Sequence, residues 1–200
     1  MVRSLNLQAV NRHPEYTADY VTPYVTTWVS ALGHLAGRDG VRMLEVGSYE
    51  GGSALWFCDH VLTGRGARIT CIDDFPDGAR ERRFDRNTAP YGDRIEKVKS
   101  LSVTALHALW SLPTTGDGPQ RPSFDAAYID GSHKAADVAL DALAAWSMLS
   151  PGGVMILDDY HWGQGRPVQD RPVFGIEVLA ASLRDATPLH AGLQVVLRRG

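Results

Sequence analysis

Apolar residues occur in short runs separated by glycine, proline and polar stretches, and the runs alternate between two periods. Residues 41–46, 67–72, 95–98, 124–129 and 154–157 are compact and aliphatic or β-branched, which predicts buried strands. Between them, residues 53–62, 103–110 and 135–149 place apolar side chains three and four apart, the spacing of one helix face. The last of these carries Val138, Leu140, Leu143, Trp146 and Leu149 and stops at Ser150-Pro151-Gly152-Gly153. Upstream, residues 16–35 show the same spacing in Tyr20, Tyr24, Trp28, Leu32 and Leu35, which predicts one helix or two with a break at Pro23. Residues 74–92 are so polar that only a short helix at 80–84 is predicted, and the Gly/Pro-rich stretches 113–122 and 162–172 read as loops. A helix over 174–183 and two short strands, 187–190 and 193–197, around Ala191-Gly192 close the pattern.

Strands alternating with helices predict an α/β domain with a mostly parallel sheet, and the terminal hairpin adds antiparallel pairing at its edge. The strand count is seven. No linker divides residues 1–200, so one domain is expected, with 1–40 as its N-terminal helical segment. A net charge of −3 and the lack of a long basic run argue against a nucleic-acid surface. Arg80, Arg82, Arg83 and Arg86 form one local basic cluster, expected to be a solvated helix face or a contact for an anionic substrate. The two cysteines, Cys58 and Cys71, read as buried thiols of a reducing compartment. With no signal-peptide pattern and no apolar run of about 20 residues, a cytoplasmic protein with no membrane partner is expected.

The chemistry is concentrated where strands end. Asp130 closes one buried run, and Asp158 and Asp159 close the next. In an open parallel sheet such ends face the ligand crevice, so three carboxylates could converge on a hard cation such as Mg²⁺, or each could simply cap the segment that follows. After the first strand, Gly47-Ser48-Tyr49-Glu50-Gly51-Gly52 is a strand-to-helix turn that lets a ligand approach the backbone. Its spacing is not that of a dinucleotide cradle. Glu45 there would repel a diphosphate and attract an ammonium group, and Asp73, ending the second strand, can accept from ribose hydroxyls. An amino group, a ribose and no phosphate describe S-adenosylmethionine.

Glu45-Val46-Gly47 with Gly51, then Asp73, then Phe124 to His133 and Pro151 to Tyr160, resemble in order and spacing a class I S-adenosylmethionine-dependent methyltransferase. Within that class the chain is similar to the small metal-dependent O-methyltransferases of the catechol, caffeoyl-CoA and macrocin type, over roughly residues 40–160. The resemblance implies a Rossmann-like doubly wound sheet. It implies that Gly47, Ser48 and Gly51 line the methionine part of the cofactor and that Glu45 and Ser53 hold its polar end. Asp73 would bind the ribose, Asp74 and Phe75 the adenine rim, and Leu101 and Ser102 the adenine, although the glycine usual there is missing. Asp130 would touch the cofactor and, with Asp158 and Asp159, ligate Mg²⁺. His133 stands where catechol-type relatives carry a catalytic lysine, and His161 is the rival base.

The implied partner is a small hydroxyl-bearing acceptor, a natural-product sugar or a phenol. Alternatives are a metal-independent N- or C-methyltransferase, a protein that binds the cofactor without catalysis, and, more remotely, an NAD-dependent dehydrogenase. A homodimer through Tyr16, Tyr20, Tyr24 and Trp28 is one reading of that aromatic segment, and burial in the core is the other.

Overall fold

A computed structural model describes residues 14–118 and 120–200. The first part of the expected N-terminal helical segment lies outside the described residues. Seven strands, β1 (Arg42–Val46), β2 (Arg68–Asp73), β3 (Ile95–Lys99), β4 (Phe124–Ile129), β5 (Leu149–Leu157), β6 (Ala186–Ala191) and β7 (Val195–Arg199), form one sheet ordered β3-β2-β1-β4-β5-β7-β6. The first five are parallel, and β7 runs antiparallel to both β5 and β6. The expected doubly wound sheet with its C-terminal hairpin is therefore present. Strand order reverses between β1 and β4, which opens a crevice beyond their carboxyl ends.

Among the described residues six α-helices cover the sheet: α1 (Val25–Leu32), α2 (Gly52–His60), α3 (Gly78–Thr88), α4 (Ser102–Trp110), α5 (Ala135–Ser147) and α6 (Pro172–Ser182). Strand side chains alternate between two cores because successive Cβ atoms point to opposite faces. Met43, Ile69, Cys71, Tyr128 and Ile156 pack under α1 and α2 with Trp28 and Phe57, whereas Leu44, Val46, Ile72, Ala127 and Leu157 pack under α4, α5 and α6.

Several expectations need correction. The polar stretch after β2 is not a loop with a short helix; it holds the eleven-residue α3, capped where Asp77 Oδ1 accepts the Ala79 amide at 2.8 Å. Pro23 does not separate two helices but lies in the 3-10 turn that leads into α1, consistent with the tolerance of a helix start for a missing N–H. Leu140 and Leu143 of α5 are exposed, and its buried stripe runs through Val138, Asp141, Ala142, Ala145 and Trp146 instead. β5 begins at Leu149, ahead of the predicted start. Of the aromatic N-terminal segment, Trp28 is core, Tyr24 packs against it, and Tyr16 and Tyr20 are exposed. The arginine cluster is largely engaged within the chain: Arg83 pairs with Glu50, Arg86 with Glu15, and Arg80 stacks on Tyr49. Among the described residues no helix is long and apolar enough to cross a membrane.

Candidate active site

Sheet register brings the chemistry to one edge. Val46 is level with Ile72 and Ile129, and Ile129 with Leu157, so the next residues, Gly47, Asp73, Asp130 and Asp158, emerge side by side. They line a cleft of about 1310 Å³, whose other walls come from residues 14–24, the outer face of α2, the start of α4 and Trp162.

On the β1 side, Gly47 has φ +87° and lies so close to β4 that a Cβ would sit 2.0 Å from the Asp130 carbonyl oxygen. No other residue type fits there. The turn after it is held by Asp73: Oδ2 accepts the Ser48 and Tyr49 amides at 3.0 and 2.9 Å, and Oδ1 accepts the Phe75 amide at 2.7 Å. The expected ribose acid is thus also the clasp between β1 and β2, and its oxygens keep further lone pairs toward the cleft. Glu45 does not reach the cleft. It is fully buried behind Ser53, whose hydroxyl donates to Oε1 at 2.5 Å. Its Oε2 makes no well-formed hydrogen bond, although Ser48 and Cys71 lie beside it, and burial raises its pKa.

Ser48, Ser53, Asp74, Leu101 and Ser102 line the cleft as expected. Gly51 and Phe75 do not. Gly51 serves the turn, with φ 85° at the start of α2, and Phe75 is buried against Phe84 with ring centroids 5.1 Å apart, because the left-handed turn at Phe75 directs it into the core.

On the β4–β5 side, ligand atoms of Asp130, His133 and Asp159 lie within 4.8 Å of one another. His133 Nε2 is 2.6 Å from Asp159 Oδ2, and the imidazole stacks on Trp162 at 4.0 Å. Asp158, the third acid expected in this group, sits just behind it. Its Oδ2 accepts the Tyr128 hydroxyl and, at 2.9 Å, the Gln194 side-chain amide, while Oδ1 accepts the Asp159 amide. The Tyr128 hydroxyl also lies 3.2 Å from Asp130 Oδ2. Burial and then the neighbouring aspartates push the Asp130 carboxyl far up, and burial raises Asp158 as well. Packed anions of this kind repel one another, and a divalent cation would relieve them, so the donor set fits a hard metal. His161 points elsewhere: it is exposed against Tyr160 and absent from the cleft wall.

Tyr128 and Gln194 are the functional neighbours that sequence reasoning did not find. Tyr128 carried a usable signal, because a residue two before Asp130 shares its face of the strand. Gln194 reaches Asp158 only through the β5–β7 pairing.

A Rossmann-like sheet with its crevice at the strand-order reversal, glycine turn on one side and acids on the other, defines a nucleoside-type site in an α/β enzyme fold. A methyltransferase-domain family profile matches residues 44–160, more than half of the chain, and the chain belongs to that family. Among curated proteins no sequence match was found. Solved structures share the fold at low identity. An O-methyltransferase from Bacillus cereus in complex with SAH is 19% identical, with a TM-score of 0.64 over 88% of this chain and 78% of that one. TomG from Streptomyces achromogenes, an O-methyltransferase involved in tomaymycin synthesis and solved with SAM, is 20% identical, with a TM-score of 0.67 over 91% and 81%. MycE of the mycinamycin biosynthetic pathway, solved with Mg, SAH and mycinamycin VI, is 18% identical, with a TM-score of 0.64 over 88% of this chain but 49% of that one.

Proposed function

We propose that the protein is an S-adenosylmethionine-dependent, Mg²⁺-assisted O-methyltransferase acting on a hydroxyl of a small molecule. The observation that carries the reading is the convergence of Asp130, His133 and Asp159 at the cleft end of β4 and β5, facing the Gly47 turn. On the cofactor side, Gly47 permits the close approach, Ser48 lines the wall with its hydroxyl turned inward, Ser53 offers its hydroxyl oxygen, Asp73 and Asp74 offer oxygens for a ribose, and Leu101 and Ser102 border the base. Buried behind Ser53, Glu45 acts on the ammonium end through the Ser53 hydroxyl that it orients and not as a direct contact. Bound there, S-adenosylmethionine supplies an activated methyl group.

Asp130 and Asp159, with Asp158 beside them, would hold the metal, which supplies a lowered pKa for the acceptor hydroxyl. His133 accepts the hydroxyl proton, with Asp159 orienting its imidazole and Trp162 fixing the ring plane. Tyr128 and Gln194 hold Asp158 in place. Direct displacement then needs little beyond alignment and exclusion of water, which the aromatic wall of Tyr16, Tyr20 and Tyr24 favours. The small-molecule acceptor is supported by TomG and MycE, whose names tie them to tomaymycin and mycinamycin.

Calorimetry with S-adenosylmethionine is the first test, and absence of binding with or without Mg²⁺ would sink the reading. Asp130→Asn and Asp159→Asn should each lower turnover by roughly a hundredfold or more, as should His133→Ala, while cofactor affinity changes little. Chelation with EDTA should abolish turnover and Mg²⁺ restore it. Full activity after EDTA would remove the metal from the mechanism.

A further inference from the structure

We propose that the acceptor carries a positive charge, as a ring-bearing alcohol or phenol with an amine, and that Asp59 of α2, beside Trp56 and Tyr16, binds that amine. This rests on the methyltransferase reading and names the acceptor class for the same cleft. Nine carboxylates line the cleft, against one guanidinium, that of Arg80, and two imidazoles. Arg80 is already engaged, its guanidinium 4.3 Å from the centre of the Tyr49 ring. Some of the acids are neutralised or clasped: Glu50 pairs with Arg83, Asp73 accepts backbone amides, and a divalent cation with a sulfonium cofactor would offset the group around Asp130. Asp59 has no such compensation. Among the described residues it forms no ion pair, and the Tyr91 hydroxyl donates to its Oδ2 at 2.8 Å, leaving an exposed carboxylate.

Asp59 shares its stretch of the cleft wall with Trp56 and Tyr16, side chains of the kind that recognise amines. Trp56, one turn earlier on the same face of α2, lines the cleft and packs at a tilt against His60, with ring centroids 4.8 Å apart. Tyr16 enters from the N-terminal segment and lines the same cleft; partial burial, then the Asp59 and Glu50 carboxylates, push its phenol up to about 12. A carboxylate beside electron-rich ring faces attracts an ammonium by both charge and cation–π contact. An anionic acceptor, such as an acyl-CoA or a phosphorylated sugar, would enter a field of like charge that low-dielectric cleft walls focus.

Three catechol probes of matched size separate the outcomes: dopamine, its neutral alcohol analogue hydroxytyrosol, and its carboxylate analogue dihydroxyphenylacetate. Each is titrated into the full chain saturated with SAH and Mg²⁺. Dopamine should bind about tenfold more tightly than hydroxytyrosol, combining a charge pair with a cation–π contact, and the carboxylate should bind most weakly. Raising the ionic strength should narrow the gap in the unmodified protein. Asp59→Asn keeps an acceptor for the Tyr91 hydroxyl and should erase the preference for dopamine while SAH affinity and melting temperature hold. Equal or tighter binding of the carboxylate, an unchanged preference in Asp59→Asn, or no binding of any probe while SAH binds would each overturn the proposal and leave the methyltransferase reading standing. Failure of SAH itself to bind marks the failure of that reading instead.

Discussion

Asp141 shows how a single residue can oppose the rule that formed its helix. It occupies the buried stripe of α5, next to Ser102 and beneath Gly131, where an apolar side chain is expected, and its Oδ2 has no hydrogen-bond partner among the described residues. Burial raises its carboxyl from 3.8 to about 6, against the lowering effect of a Ser102 hydrogen bond. The folded state therefore holds a proton that the unfolded chain has released. Its contribution is complete below the unfolded value, declines as pH rises toward about 6, and leaves a constant penalty above that. Asp141→Asn keeps an acceptor for Ser102 and should stabilise the protein at neutral pH by about 1–2 kcal/mol, after allowance for residual solvation. Urea unfolding on either side of that window checks it, and a destabilised variant at neutral pH contradicts the shift. The strand-end acids at positions 130, 158 and 159 were legible because charge after an apolar run is visible in one dimension. Asp141 was not, because it interrupts a stripe whose middle is otherwise alanine, Ala142 and Ala145. Backbone strain was equally hidden: Tyr49, Phe75 and Asp159, at φ 47°, 45° and 61°, are the described non-glycine residues in the left-handed region, and all follow a strand on the cleft side.

At the scale of elements, the five parallel strands could be read from composition, since strands covered on both faces must be apolar throughout. α3 could not. Its single large apolar anchor is Phe84, packed against Phe75 and close to where a Cβ on Gly51 would be, and the rest of its inner face is polar. Ion pairs take the place of an apolar stripe: Lys97 of β3 meets Glu81 at 2.8 Å and Asp85 at 2.7 Å, Lys99 meets Glu81 at 2.6 Å, and Arg83 meets Glu50. These partners lie on other segments, so no periodicity within residues 74–92 reveals them. The lysine pairs are partly exposed and contribute little each, which leaves Phe84, with the buried Arg83–Glu50 pair, as the main attachment. Phe84→Ala should destabilise the protein by about 3–4 kcal/mol and lower the urea midpoint, whereas Arg82→Ala on the exposed face should stay within about 0.5 kcal/mol. Equal effects would mean that the ion pairs, and not the ring, attach α3 to the sheet. Similarly, the middle of the α5 stripe was misjudged, although Val138 and Trp146 are on it, because Leu140 and Leu143 dominate the apolar pattern while standing in solvent.

Across the whole molecule, the cleft is completed by a segment that belongs to neither the sheet nor its helices. Residues 15–17 are fastened to the loop before α2 and to α3 through two buried side chains. Glu50 accepts the Thr17 amide at 2.7 Å and its hydroxyl at 3.0 Å, while Arg83 holds the same carboxylate at 2.5 Å. Asn87 accepts the Glu15 amide at 3.0 Å and donates to the carbonyls of Glu15 and Glu50 at 3.1 and 2.9 Å. The aromatic wall of Tyr16 and Tyr20, and with it the acceptor side of the cleft, thus depends on polar contacts more than on apolar burial. Hydrogen bonds to a charged, desolvated carboxylate are the strongest of these, so Glu50→Gln should weaken the fastening and Asn87→Ala should remove its second half. Amide exchange at Glu15 and Thr17 should accelerate about tenfold or more in either variant, while protection in β1 and β4 stays as it was. Loosened walls position an acceptor less well but leave the acids of β4 and β5 in place, so KM for the acceptor should rise while kcat changes little. If exchange at those two amides is unaltered in both variants, the segment is held by the Tyr16 ring and the Val21 side chain against α2, and the polar cluster only fills the gap beneath it.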